Sequence, residues 1–291
     1  MKKTQFVICL LFICVLNLSA QQCDFPELTG PYLGQKFPGD VPEMFAPGLV
    51  SSPEAKEMGI TWMPDLKEFY FTRQDPSDSD RKWAIWYSKE ANGIWTRPEI
   101  VEFSGTYLDI APFITYDGKY MLFYRGSRSD TTFKTGTYIA ERKGDKWTEP
   151  RFFADAYVLN TADFKTFYCT EGKEDRQIYY MTYADGEFSE KKPLEGQLNS
   201  PFFDAHGMIS PDGDFMLFDS DRPGGIDKID MYVSFRKGNN SWSEGINLGE
   251  NINRGHFTIP SISPDGKYIF INSDRDIYWV SAKVIDHLKN K

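Results

Sequence analysis

Ser210-Pro211-Asp212-Gly213-Asp214-Phe215-Met216-Leu217-Phe218 returns later in the chain as Ser263-Pro264-Asp265-Gly266-Lys267-Tyr268-Ile269-Phe270. Each run reads as a tight turn, in which Gly takes a positive φ, followed by an aromatic-rich strand. Working outward, three looser copies appear: Thr115-Tyr116-Asp117-Gly118-Lys119-Tyr120-Met121-Leu122-Phe123, Met63-Pro64-Asp65-Leu66-Lys67-Glu68-Phe69-Tyr70-Phe71, and the degenerate Thr161-Ala162-Asp163-Phe164-Lys165-Thr166-Phe167-Tyr168. The shared aspartates stand at 65, 117, 163, 212 and 265, in steps of 52, 46, 49 and 53 residues. A period near fifty fits a unit of four short strands rather than a helical solenoid.

Each unit parses alike. An inner strand such as Ile110–Ile114 enters the turn, and a second, such as Tyr120–Tyr124, leaves it. A third follows, as in Ala84–Ser88 or Asp276–Val280, and a fourth opens with Trp95, Trp147, Phe188 or Trp242. The fifth unit has no fourth strand of its own, but Pro42-Glu43-Met44-Phe45-Ala46 near the other end resembles Pro98-Glu99-Ile100-Val101-Glu102. Pairing that segment with the last unit hides two otherwise open sheet edges. The expectation is an all-β fold: a five-bladed β-propeller of four-stranded antiparallel blades, its last blade closed by an N-terminal strand. On this reading 1–20 is a signal peptide, 21–40 an N-terminal extension, 41–285 the propeller and 286–291 a tail.

The Ser-Pro-Asp-Gly turns with their aromatic strands, together with Ser220-Asp221-Arg222-Pro223-Gly224-Gly225, resemble the WD40-like repeat of TolB-type propellers over most of residues 41 to 281. The resemblance implies the fold. It implies no one activity, because such propellers serve as binding scaffolds, as sensors and as parts of enzymes.

Composition narrows the function. Aromatic residues make up 16% of the chain, which suits pleated surfaces. The net charge of -9, without a basic stripe, argues against a nucleic-acid partner. Lys2-Lys3, the apolar run Phe6–Leu16 and Leu18-Ser19-Ala20 read as a signal peptide cut after Ala20, hence periplasmic or secreted, and no later stretch is apolar enough for a membrane span. Gln22 before Cys23 does not suit a lipoprotein signal. After cleavage Cys23 and Cys169 remain, as one disulfide or two separate thiols.

The segment before each inner strand and the loop after each second strand share one face of the disk. Eight residues before the repeat aspartates stand Glu57, Asp109, Asp155 and Asp204, with Phe257 and neighbouring His256 in the fifth unit; His206 lies just past Asp204. Arg73, Arg125, Arg222 and Arg275 follow the second strands. Register alone therefore predicts an acidic rim with arginines and two histidines at one channel mouth. A feature carried by every blade is better explained as blade-locking ion pairs, whereas the histidines break the repeat and are better ligand contacts. Asp75, Asp78 and Asp80, and Asp219 with Asp221, offer oxygens for calcium but lack the EF-hand glycine and glutamate, so no cofactor or metal is expected. No zincin, nucleophile-elbow, phosphate-loop or dinucleotide motif occurs. The expected function is binding of a glycan, peptide or envelope protein at the acidic channel mouth. The alternative is a carbohydrate-active enzyme, either a glycoside hydrolase using paired rim carboxylates or a polysaccharide lyase using a histidine with tyrosine and arginine.

Overall fold

A computed structural model describes residues 26–74, 83–127, 129–172, 176–238, 241–273 and 275–289. Five antiparallel sheets, taken in chain order, form a five-bladed β-propeller. Blade 1 is built on the strands Glu57–Trp62, Glu68–Gln74 and Trp83–Ala91, and blade 5 on Thr258–Ile262, Tyr268–Ser273 and Asp276–Ser281. The fourth strand is broken in a way the sequence did not announce. In blade 1, Ile94–Trp95 pairs with the end of the third strand and Glu99–Ile100 with its middle. Pro98 lies between the pieces and has no N–H to offer a ladder.

The repeat aspartates act as turn formers. Asp117 Oδ1 accepts from the Thr115 hydroxyl at 2.7 Å and from the Lys119 N–H at 3.1 Å, and Asp212 and Asp265 do the same with Ser210 and Ser263. Gly118, Gly213 and Gly266 supply the positive φ, while the looser copies hold Leu66 and Phe164 there instead. Within the blade 2 turn, Tyr116 donates to the Ile209 carbonyl at 2.7 Å, linking blades 2 and 4 past blade 3 at the Asp-Gly end of the axis.

The ring closes as the sequence predicts: Glu43–Met44 pairs antiparallel with the last strand, Glu43 opposite Trp279 and Met44 opposite Tyr278. Phe45 is fully buried in the seam between blades 5 and 1, edge-on to Phe270 and Trp279 at 5.3 Å, and to Trp62 at 5.9 Å. Residues before 41 join the same core, with Tyr32 packed 4.9 Å from both Trp62 and Tyr268 and its hydroxyl bonded to Asp265. At two other seams an arginine and a tryptophan of one blade meet a tyrosine of the blade before. Arg142 and Trp147 reach the Tyr70 hydroxyl, and Arg236, stacked on Trp242, reaches that of Tyr168.

Three blades carry a buried ion pair that anchors the entering chain. Arg73 Nε meets Glu57 at 2.8 Å while its Nη2 donates to the Leu49 and Val50 carbonyls. Arg125 bonds both oxygens of Asp109 and the Phe103 carbonyl, and Arg222 bonds Asp204 and the Leu198 carbonyl. Each guanidinium also lies over the aromatic two residues (four for Arg222) before it: Phe71, Phe123 and Phe218. Burial pushes the Glu57 carboxyl up to about 7, against the pull of Arg73.

Phe45→Ala is expected to cost about 3–5 kcal/mol in urea unfolding, as a large aromatic leaves a cavity in the closing seam. Arg125→Met is expected to cost about 3–5 kcal/mol by stranding the Asp109 charge, and the double variant Arg125→Met/Asp109→Asn to recover part of that loss. The Glu57 carboxyl holds its proton more tightly in the fold than in the open chain. Stability from this group therefore falls as pH rises from 4.5 through about 7, and Glu57→Gln should flatten that part of a stability–pH profile.

Candidate functional site

The inner strands share a device at the face opposite the Asp-Gly turns. In blades 1, 2, 4 and 5 the ladder shifts register at a bulge, and Gly59, Ala111, His206 and Ile259 sit there with φ of 52°, 52°, 50° and 51°. Such a bulge aims one residue out of the pleat and leaves a backbone N–H to be satisfied. The preceding blade supplies the acceptor: Asn272 for Gly59 at 3.1 Å, Thr72 for Ala111 at 2.9 Å, and Thr170 for His206 at 3.0 Å. All three acceptors stand seven residues past a repeat aspartate. The same position holds Tyr124 in blade 2 and Asp219 in blade 4.

Those two exceptions lie beside one another's partners. Asp219, fully buried, turns to its own blade and takes His206 Nδ1 at 2.9 and 3.0 Å. With the carboxylate accepting, Nδ1 is the donor in this pair, and Nε2 is the ring nitrogen outside it. The His206 ring centroid lies 6.2 Å from that of Tyr157, the first residue of blade 3's inner strand. Tyr124 packs edge-on to Tyr157 at 5.0 Å, and the Arg176 guanidinium stands 5.5 Å from the Tyr157 ring and 5.9 Å from that of Phe203. Burial pushes the Tyr157 phenol up while Arg176 pulls it back. Blades 2, 3 and 4 thus bring together an oriented imidazole, a cation and three aromatic faces.

The other predicted residues are placed differently. Glu57, Asp109 and Asp204 have side chains fully withdrawn from solvent behind Arg73, Arg125 and Arg222, so the acidic rim expected from register is sealed in these blades. Asp155 is exposed, and Arg275 is exposed with its carbonyl accepting from the Glu57 N–H. His256 pairs through Nδ1 with Asp227 at 2.8 Å, its ring two-thirds exposed. It borders a cavity of about 350 Å3 shared with Trp83, Lys228, Ile259 and Asn272.

Asp219 is therefore a histidine partner, and Asp221 accepts from the Phe203 N–H at 2.9 Å. Asp75, Asp78 and Asp80 lie outside the described residues, as does Cys23. Among the described residues no group of three or more His, Cys, Asp and Glu is placed to hold a metal ion. Cys169 is buried, and burial pushes its thiol up to about 12, so it is not a reactive thiolate. Sequence reasoning singled out His206 but missed Tyr124, Tyr157 and Arg176. For Tyr124 and Asp219 the signal was present, since both occupy a position where the other blades carry Thr or Asn.

No family model and no curated protein matches the chain. Among solved structures, TolB from Acinetobacter baumannii is 20% identical with a TM-score of 0.50, the alignment covering 78% of this chain and 52% of that one. Putative TolB from Agrobacterium tumefaciens is 18% identical at a TM-score of 0.49, covering 76% and 70%. A gluconolactonase from Xanthomonas campestris is 10% identical at 0.46, covering 88% and 98%. The chain thus spans about half of the Acinetobacter protein. The chain is a β-propeller similar in fold to TolB.

Proposed function

We propose that the chain is an exported propeller that binds a glycan at the channel mouth opposite its Asp-Gly turns, through His206, Tyr157 and Arg176. The observation that carries this reading is convergence. Features shared between blades serve the ring, whereas Tyr124, Arg176 and His206, which depart from the repeat, gather around Tyr157. Aromatic faces stack on the apolar faces of sugar rings, and an imidazole and a guanidinium supply directed hydrogen bonds to hydroxyls. A peptide or an envelope protein would draw on the same groups and belongs in the same binding panel.

Catalysis is a second reading, favoured by one detail. A buried carboxylate fixes His206 through Nδ1 and leaves Nε2 outside that contact, the geometry that an oriented general base requires. Such a base serves lyase chemistry. The alternative of paired rim carboxylates loses support, because Glu57, Asp109 and Asp204 are each engaged by arginine.

His206→Asn tolerates the left-handed backbone at this position and removes Nε2 from the mouth. Because it also takes the Nδ1 donor from the buried Asp219 carboxylate, it should lower the unfolding midpoint, and at a temperature where the variant stays folded it should weaken glycan binding about tenfold or more, the worth of one or two hydrogen bonds. Unchanged binding by isothermal titration would refute the site. Incubation with polysaccharides, reading both new reducing ends and unsaturated products, separates the two readings: turnover lost in His206→Asn means catalysis.

A further inference from the structure

We infer that the cavity between blades 4, 5 and 1, walled by Trp83, Lys228 and His256, is a subsite for an anionic sugar residue. The inference rests on the glycan-binding reading and names the class of glycan.

The cavity adjoins the channel mouth one blade on from His206, since Ile259, the bulge residue of blade 5, lies in its wall. Its volume of about 350 Å3 falls at the lower end of small-ligand sites, the size for one or two sugar rings. Met58 and Ile259 give apolar surface and Trp83 an aromatic face. The charges in this wall are unequal. Glu57 is the one carboxylate among the lining residues, and its side chain is fully buried against Arg73. Asp227 on the adjoining loop is held by His256 Nδ1, which leaves the exposed His256 ring with Nε2 toward its surroundings. Lys228 is exposed, and among the described residues its ammonium has no ion-pair partner. Among the described residues the cavity thus presents a cation without an ion-pair partner beside a stacking face.

That combination selects a ring carrying a negative group. The sugar's C–H face lies on Trp83 while its carboxylate or sulfate meets Lys228, a charge-assisted contact stronger than one between neutral groups. The acids predicted from register would have repelled such a ligand. Their burial behind guanidinium groups removes the objection.

The test is isothermal titration of the full chain with short oligomers of galacturonate, of sulfated galactose and of plain galactose, on wild type, Lys228→Met, Trp83→Ala and His206→Asn. The expected result is binding of one or both anionic oligomers at least about tenfold tighter than galactose, with that preference lost in Lys228→Met and affinity lowered in Trp83→Ala. The stronger of the two anionic oligomers identifies the charged group. Lys228 is exposed, so a thermal melt matching wild type keeps its variant interpretable. Equal binding of galactose and galacturonate, or anionic preference intact in Lys228→Met, overturns the subsite. If binding in that case remains sensitive to His206→Asn, the glycan-binding reading survives without it. If none of the oligomers binds, both fall together.

Discussion

A residue held at φ near +50° on an inner strand needs a partner for its N–H, and here that partner comes from the blade before. Thr72 serves Ala111, Thr170 serves His206 and Asn272 serves Gly59. The last of these joins blade 5 to blade 1, so the coupling runs across the seam where the chain's two ends meet. Because a buried N–H without an acceptor is costly, these positions are constrained to Thr or Asn wherever they only hold the ring together. The constraint makes the exceptions informative. In blades 2 and 4 that position holds Tyr124, which packs on Tyr157, and Asp219, which takes His206 Nδ1 in its own blade.

The electrostatics of the mouth follow from the way the chain enters each blade. An arginine at the end of the second strand, or just past it for Arg222, must reach back to the carbonyls of the entering segment, and the acid at the start of the inner strand neutralises it on the way. Blades 1, 2 and 4 have this arrangement. In blade 3 the acid is the exposed Asp155, and in blade 5 the slot is filled by Phe257. In blades 1, 2 and 4 each acid that register places at the opening is thus sealed behind its own arginine.

Much of this was legible beforehand, for physical reasons. A turn that demands Asp and Gly at fixed spacing, repeated with aromatic strands, specifies the blades, and the similarity of Pro42–Ala46 to an outer strand specifies closure. Register placed the acids and arginines on one face. It did not reveal that their charges cancel inside the blade, because the deciding partners are backbone carbonyls, which no residue type announces. The split fourth strands were hidden because two-residue pieces carry too little periodicity to read. Asp219 was visible as an oxygen donor, yet its partner depends on a bulge that turns His206 toward it. Arg176 has no counterpart in other blades, so comparison of repeats gave it no weight.

Closure has a consequence for how the chain is made. Phe45 packs on Trp279, so the contact that completes the ring joins residues from opposite ends of the sequence. A polypeptide emerging from a ribosome or a translocation pore shows its early aromatic segment long before the matching strand exists. The final seam forms only when the C-terminal blade has arrived, and a premature stop after blade 4 leaves an unmatched apolar face on both ends of an open stack.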